Sequence, residues 1–157
     1  MSERSAVHAD FTIERHYPAS PARVFAAFAD PVAKRRWSAC HDEGGLGEYS
    51  LDFREGGFET MRGAPAPGGV YAMRAIYHEI VQRQRIVYSY EMLRDDVRLS
   101  VSLVTLEFRG EGAGTRLIFT EQAVFLDGHD DPKAREQGTG IGFDRLAEEL
   151  ARQAAPA

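Results

Sequence analysis

The amino-acid sequence predicts an α+β fold, in which a curved antiparallel sheet of seven strands surrounds one long C-terminal helix, with two short helices after strand 1. Three observations lead there. Between residues 49 and 125, six segments of strand character follow one another with short connections, and such a meander pairs antiparallel. Ahead of them, two helix-start signals stand in tandem behind a single strand. After them, Phe143, Leu146, Ala147 and Leu150 recur at i, i+3, i+4 and i+7, which is one face of a helix. A strongly bent sheet has one concave face, and the C-terminal helix is the only large element left to cover it.

The first strand is expected over Phe11 to Tyr17, where Phe11, Ile13 and Tyr17 share a face. Ser20-Pro21 then starts a helix, because serine accepts from free N–H groups and proline at the first helical position loses no bond. Val24, Phe25 and Phe28 form its apolar stripe. Asp30-Pro31 repeats the signal, and a second short helix carries Trp37. Strands follow at Tyr49–Phe53, Phe58–Arg62, Val70–Ile80, Arg85–Met92, Leu99–Phe108 and Arg116–Phe125. Gly56-Gly57, the Pro65 to Gly69 stretch and Gly110 to Gly114 supply turns. The final helix is expected over roughly 133–152, with Glu148 and Glu149 off its apolar stripe.

The chain of 157 residues suits a single domain, 1–157, with loose ends at about 1–9 and 153–157. Its composition, 43% hydrophobic and 27% charged, is that of an ordinary globular protein. The net charge of −5 and the scatter of its basic residues argue against a nucleic-acid partner, which needs a concentrated basic surface. The longest basic run, Lys34-Arg35-Arg36, reads as a solvated helix face. The opening Met1-Ser2-Glu3-Arg4 leads into no apolar stretch, so no secretory leader is expected. No window approaches the roughly 18 apolar residues of a membrane span. The single cysteine, Cys40, cannot form an internal disulfide, which fits a cytoplasmic setting.

Five segments carry a likeness to a known family: "ERHYPASPARVFAAFADPVAKRRWSA", "DFREGGFETMRG", "IVQRQRIVYSYEM", "SLVTLEFRGEGAGTRLIFTEQAVF" and "GIGFDRLAEEL". In this order they resemble the SRPBCC superfamily, the START-like and birch-pollen-allergen-like helix-grip folds. Within it they are most similar to bacterial homologues of the heat-shock-protein ATPase activator domain. The resemblance implies a helix-grip fold. It also implies apolar ligand binding in many members, cyclisation chemistry in some, and a chaperone as a possible partner. Members often carry Gly-Trp near the start of the last helix. Here that stretch reads "GTGIGF", with the aromatic lost or displaced to Phe143.

Several residues could carry chemistry. Tyr88 and Tyr90 share a strand face with Ile86 and Met92. Each offers a flat apolar ring with a hydroxyl at its tip, suited to orienting a carbonyl or phenol, or else to a core position. Glu121 alternates with Leu117, Phe119 and Ala123, which would aim a carboxylate into apolar space as a proton donor or acceptor, with Arg74 or His78 as candidate partner. Trp37 either lines an opening or anchors the short helices to the sheet. Cys40-His41 pairs a nucleophile with a base, but adjacent residues seldom meet in the needed geometry. His41, Asp42 and Glu43 with His129, Asp130 and Asp131 match no closed metal pattern and read as solvated loops. Gly138, Gly140 and Gly142 either leave room for a ligand or precede a late helix start; each glycine inside a helix costs about 1 kcal/mol.

The expected function is binding of a small, mainly apolar molecule between sheet and C-terminal helix, at Trp37, Tyr88, Tyr90, Glu121, Gly138 and Gly142. No catalytic residue, metal or cofactor is assigned, and neither nucleic acid nor membrane is expected as a partner. The alternatives are an enzyme of the cyclase or hydro-lyase kind using Glu121 and a chaperone-associated binding module. A homodimer is compatible with the long strand edges.

Overall fold

The computed structural model describes residues 3–38 and 46–154. The order of elements is β1 (Ala6–Tyr17), α1 (Pro21–Ala29), α2 (Pro31–Ser38), β2 (Leu46–Leu51), β3 (Phe58–Gly63), β4 (Tyr71–Val81), β5 (Arg85–Arg94), β6 (Val97–Glu111), β7 (Gly114–Leu126) and α3 (Pro132–Ala154). The strands form one antiparallel sheet ordered β1-β7-β6-β5-β4-β3-β2. This is the helix-grip arrangement that the sequence predicts.

Each helix begins at an Xaa-Pro step. The Ser20 side chain accepts from the Arg23 N–H at 3.2 Å, Asp30 Oδ1 from the Val32 N–H at 3.1 Å, and Asp131 Oδ1 from the Lys133 N–H at 3.0 Å. Such caps satisfy donors that a first turn leaves free. Asp131-Pro132 therefore sets the start of α3, and Gly138, Gly140 and Gly142 lie well inside the helix. A late start is overturned. β1 also begins earlier than the alternation of Phe11 and Ile13 indicates. Ala6 pairs with Leu126, and Asp127 holds the Ser5 N–H at 2.9 Å and Arg4 at 2.8 Å. Residues 6–9 are thus strand, not a loose end. The β5–β6 hairpin turns on Asp95 and Asp96, both in the left-handed region (φ 50° and 65°), as a tight turn between right-twisted strands requires.

The core lies between the concave face of the sheet and the helices. Phe25 meets Phe53 and Phe108 edge-on, with centroids 5.6 and 5.4 Å apart. Phe28 packs on Trp37 at 4.9 Å and on Phe108 at 5.4 Å. From α3, Phe143, Leu146 and Leu150 are buried, with Phe143 edge-on to Phe119 at 5.2 Å. The Tyr17 hydroxyl donates to the Phe143 carbonyl at 2.9 Å, and Arg23 to the Leu150 carbonyl at 2.8 Å. No helix among the described residues is long and apolar enough to cross a membrane.

The inward face of α3 differs from its apolar stripe in one place. Ala147 is exposed, whereas Glu149 is buried. Its carboxylate accepts from Arg36 of α2 at 2.9 and 2.7 Å, from Arg152 at 2.8 Å and from Gln153 at 2.8 Å. Donors on both oxygens make a charged group tolerable at a helix–helix joint. Of the run read from sequence as a solvated face, Lys34 is instead buried in an ion pair with Glu59, whereas Arg36 stays exposed and reaches the buried Glu149 from the surface.

Two outcomes follow. Phe143→Ala and Leu146→Ala should each lower stability by about 2–5 kcal/mol in urea denaturation, while Ala147→Ser should change it by less than about 0.5 kcal/mol. Hydrogen bonding from Arg36, with help from Gln153 and Arg152, holds the Glu149 carboxyl down at about 2. A carboxyl depressed on folding stabilises above its unfolded value and loses that contribution as pH falls towards its folded one. The stability gap between the parent protein and Glu149→Gln should therefore be full above about pH 5 and close between there and about pH 2. Denaturation midpoints across that range check it.

Candidate functional site

Alternation along the strands sorts side chains into rows across the concave face. Tyr49, Met61, Met73, Met92, Ser100 and Phe125 are successive cross-strand partners from β2 to β7. The next row is Glu59, Ala75, Tyr90, Ser102 and Ala123. The one after is Tyr77, Tyr88, Val104, Glu121 and Phe11. Met61, Met73, Met92, Tyr88, Tyr90 and Phe11 are only half-buried although they face the helix side.

Glu121 points inward, as its alternation predicts, and is 1% exposed. Its Oε2 accepts from Ser102 at 2.7 Å, from Tyr90 at 2.8 Å and from Arg135 Nη1 at 3.3 Å. Its Oε1 is buried with no hydrogen-bond partner among the described residues. The expected partners Arg74 and His78 are elsewhere. Arg74 pairs with Glu91 and His78 with Ser89 at 2.8 Å, on the convex face. The cation that reaches Glu121 comes from the first turns of α3, a contact that strand alternation cannot show.

Arg135 ties that helix to the sheet. Beyond Glu121, its guanidinium donates to Tyr90 at 3.0 Å, Ser100 at 2.7 Å and Asp130 at 2.8 Å. It also lies over the rings of Phe125 (5.2 Å) and Tyr90 (5.7 Å), a favourable placement for a planar cation. Burial works against its charge, but Tyr90, Glu121 and Asp130 outweigh burial and raise its affinity for the proton. Burial, then the neighbouring Glu121, push the Tyr90 phenol up, so it remains a protonated donor.

A second buried carboxylate, Glu59, was not a sequence candidate. It accepts from Lys34 at 2.9 and 3.1 Å, Tyr49 at 2.7 Å and Tyr77 at 3.0 Å. Lys34 also sits 5.7 Å from the Trp37 ring and 5.9 Å from that of Phe28. The available signal was Glu59 alternating with Met61, which puts both on one strand face.

Tyr88 lies between the two clusters. Its ring is tilted against Tyr77 at 5.5 Å and Tyr90 at 6.1 Å. Burial first, then Tyr90, Glu59 and Glu121, hold its phenol well above the usual range. Its hydroxyl has no hydrogen-bond partner among the described residues.

Trp37 is 5% exposed, donates its indole N–H to the Ala27 carbonyl at 2.9 Å and stacks obliquely on Phe143 at 6.2 Å. That geometry anchors the short helices and leaves no tryptophan at an opening. Gly138 is exposed and Gly142 half-buried, and a methyl group at either would meet nothing within 4 Å. At Gly140 it would come within 3.2 Å of Arg15. Asp130 is held by Arg135, and Asp131 caps α3. Cys40, His41, Asp42 and Glu43 lie outside the described residues. A groove of about 390 Å³ at the β2–β3–β4 side is lined by Glu48, Arg62, Arg74 and Asp96 and also by Met61 and Met73, but by neither Tyr88 nor Tyr90.

Removing one partner of a buried ion pair strands the other, which costs about 3–5 kcal/mol. Arg135→Met should lose stability on that scale. Adding Glu121→Gln to Arg135→Met should recover part of it, as a double-mutant cycle by urea denaturation would register.

Comparison with known proteins places the molecule. A protein from Rhizobium leguminosarum of known structure is 50% identical, with 96% of this chain and 99% of that one covered and a TM-score of 0.91. The Mll3558 protein from Rhizobium loti is 46% identical over 92% of this chain and 99% of that one, with a TM-score of 0.85. Protein CV1439 from Chromobacterium violaceum is 26% identical over 90% and 96%, with a TM-score of 0.74. No curated protein matches. Residues 18–152 match the family described as Activator of Hsp90 ATPase homolog 1-like protein, and this chain belongs to that family.

Proposed function

We propose that this protein binds a small, mostly apolar molecule between the concave face of its sheet and the first half of α3. The observation that carries this reading is incomplete burial on the inner face. Tyr88, Tyr90, Met61, Met73, Met92 and Phe11 face the helix but stay half-buried, while Gly138 and Gly142 extend no side chain towards any neighbour. Aromatic rings, adaptable methionines and a few placed polar groups are the usual lining of a ligand site. Tyr88 and Tyr90 are the contacts we assign, with Glu121 and Arg135 fixing the Tyr90 hydroxyl and the two glycines leaving room. Trp37 stands behind Phe143 as wall. A cytoplasmic setting fits the single cysteine.

A cyclase or hydro-lyase would need Glu121 free to exchange a proton. Its ion pair with Arg135 and bonds from Tyr90 and Ser102 favour a supporting role instead. Partner binding is the second reading. It is favoured by the family's description and by Phe58 and Leu103, 58% and 42% exposed on the convex face. Co-elution with an Hsp90-type ATPase, lost in Leu103→Asp, would support it.

Native mass spectrometry of freshly purified protein should reveal a co-purified small molecule. A thermal-shift screen of fatty acids, flavonoids, polyketide-like phenols and sterols should give at least one saturable rise in Tm, since a ligand at a hundredfold excess over Kd stabilises by about 2.7 kcal/mol. Tyr88→Trp or Tyr90→Trp should diminish that rise. The absence of any saturable hit would overturn the binding reading and leave the partner-binding one.

A further inference from the structure

Most polar side chains on the concave face are already committed. Tyr49 and Tyr77 donate to Glu59, and Tyr90 and Ser102 donate to Glu121. Ser100 accepts from Arg135. The unpaired Glu121 Oε1 is sealed by its neighbours. Ser100 keeps a hydroxyl proton but is fully buried, so the hydroxyl of half-buried Tyr88 is the accessible donor left over among the described residues. Arg15, on the same face, is held by the Gly140 carbonyl and by Asp144, and the two buried cations are spent as well, Lys34 on Glu59 and Arg135 on Glu121 and Asp130. Both have side chains only 8% exposed.

These commitments treat ligands unequally. A carboxylate entering this face would give up its water, approach Glu59 and Glu121 as like charges, and find no uncommitted cation there among the described residues. Burying a charge without a partner is far costlier than burying a neutral polar group that gains a hydrogen bond. A carbonyl or ether oxygen needs a single donor, and the Tyr88 phenol stays protonated to supply it. Resting on the binding reading above, we infer that Tyr88 is a specificity-determining residue: the concave face takes uncharged, mostly apolar molecules that carry a hydrogen-bond-accepting oxygen, and it discriminates against carboxylates of the same shape.

Three naphthalenes of similar size test this by isothermal titration of the full chain: 2-acetylnaphthalene with a ketone oxygen, 2-isopropenylnaphthalene with none, and 2-naphthoate with a carboxylate. The ketone should bind most tightly and the carboxylate about tenfold or more weaker than the ketone. Tyr88→Phe removes only an unpaired hydroxyl, so the fold should persist. It should weaken the ketone about three- to tenfold, the worth of one neutral hydrogen bond, and leave the hydrocarbon unchanged. A carboxylate that binds as well as the ketone, or a ketone affinity untouched by Tyr88→Phe, would overturn the inference while the binding reading stands. Failure of all three to bind the parent protein would overturn both.

Discussion

Arg135 reaching Glu121 is the contact on which the placement of α3 depends. A helix laid across a concave sheet gains apolar burial only where large side chains meet, and here those are Phe143, Leu146 and Leu150 in its second half. The first half carries three glycines and no large apolar side chain on the sheet side. What fixes it is a single guanidinium with four polar partners and two aromatic rings. The same device recurs at the other joints. Glu59 of β3 takes Lys34 of α2, and Glu149 of α3 takes Arg36 of α2. Each joint is a buried carboxylate answered by a helix cation, with further donors filling the carboxylate's remaining sites. Such pairs add little net stability against an apolar replacement, but they permit few alternative geometries.

The helix tolerates its glycines for the same reason. Each weakens α3 by about 1 kcal/mol relative to alanine, yet helical stability in proteins comes chiefly from tertiary anchors. Arg135 before the glycine stretch and Phe143 after it pin both sides. A side chain at Gly140 would meet the tip of Arg15 at 3.2 Å. The other two have open space beside them.

Much of this architecture was legible in the sequence because it rests on local rules. Alternation in the strands, the turn glycines, Ser20-Pro21 and Asp30-Pro31, and the 143/146/150 spacing each follow from the chemistry of neighbouring residues. Asp131-Pro132 is the same signal as the earlier two and starts α3 despite the glycines that follow. The charged joints were not legible. Lys34 and Arg36 stand in a basic run, and Glu149 sits beside Glu148, so local reasoning leaves all of them in water. Only partners brought from distant segments make the burial of Lys34 and Glu149 affordable. At the candidate site, the inward faces of Tyr88, Tyr90 and Glu121 could be read from alternation, whereas Arg135 and Glu59 could not, because their roles depend on which helix crosses which row.

The row of Met61, Met73 and Met92 has a chemical consequence of its own. With Met1 these make up every methionine in the chain, and all three are half-buried side by side on one face. Thioethers with partial access to solvent take up oxygen from peroxides, and each sulfoxide turns a pliable apolar side chain into a stiff polar one. An oxidising burst would therefore roughen one contiguous strip of the concave face, leaving the aromatic core around Phe25, Phe28 and Phe108 untouched. Sulfoxides formed there would lie in a single row of the inner surface, and methionine sulfoxide reduction is the chemistry that would remove them.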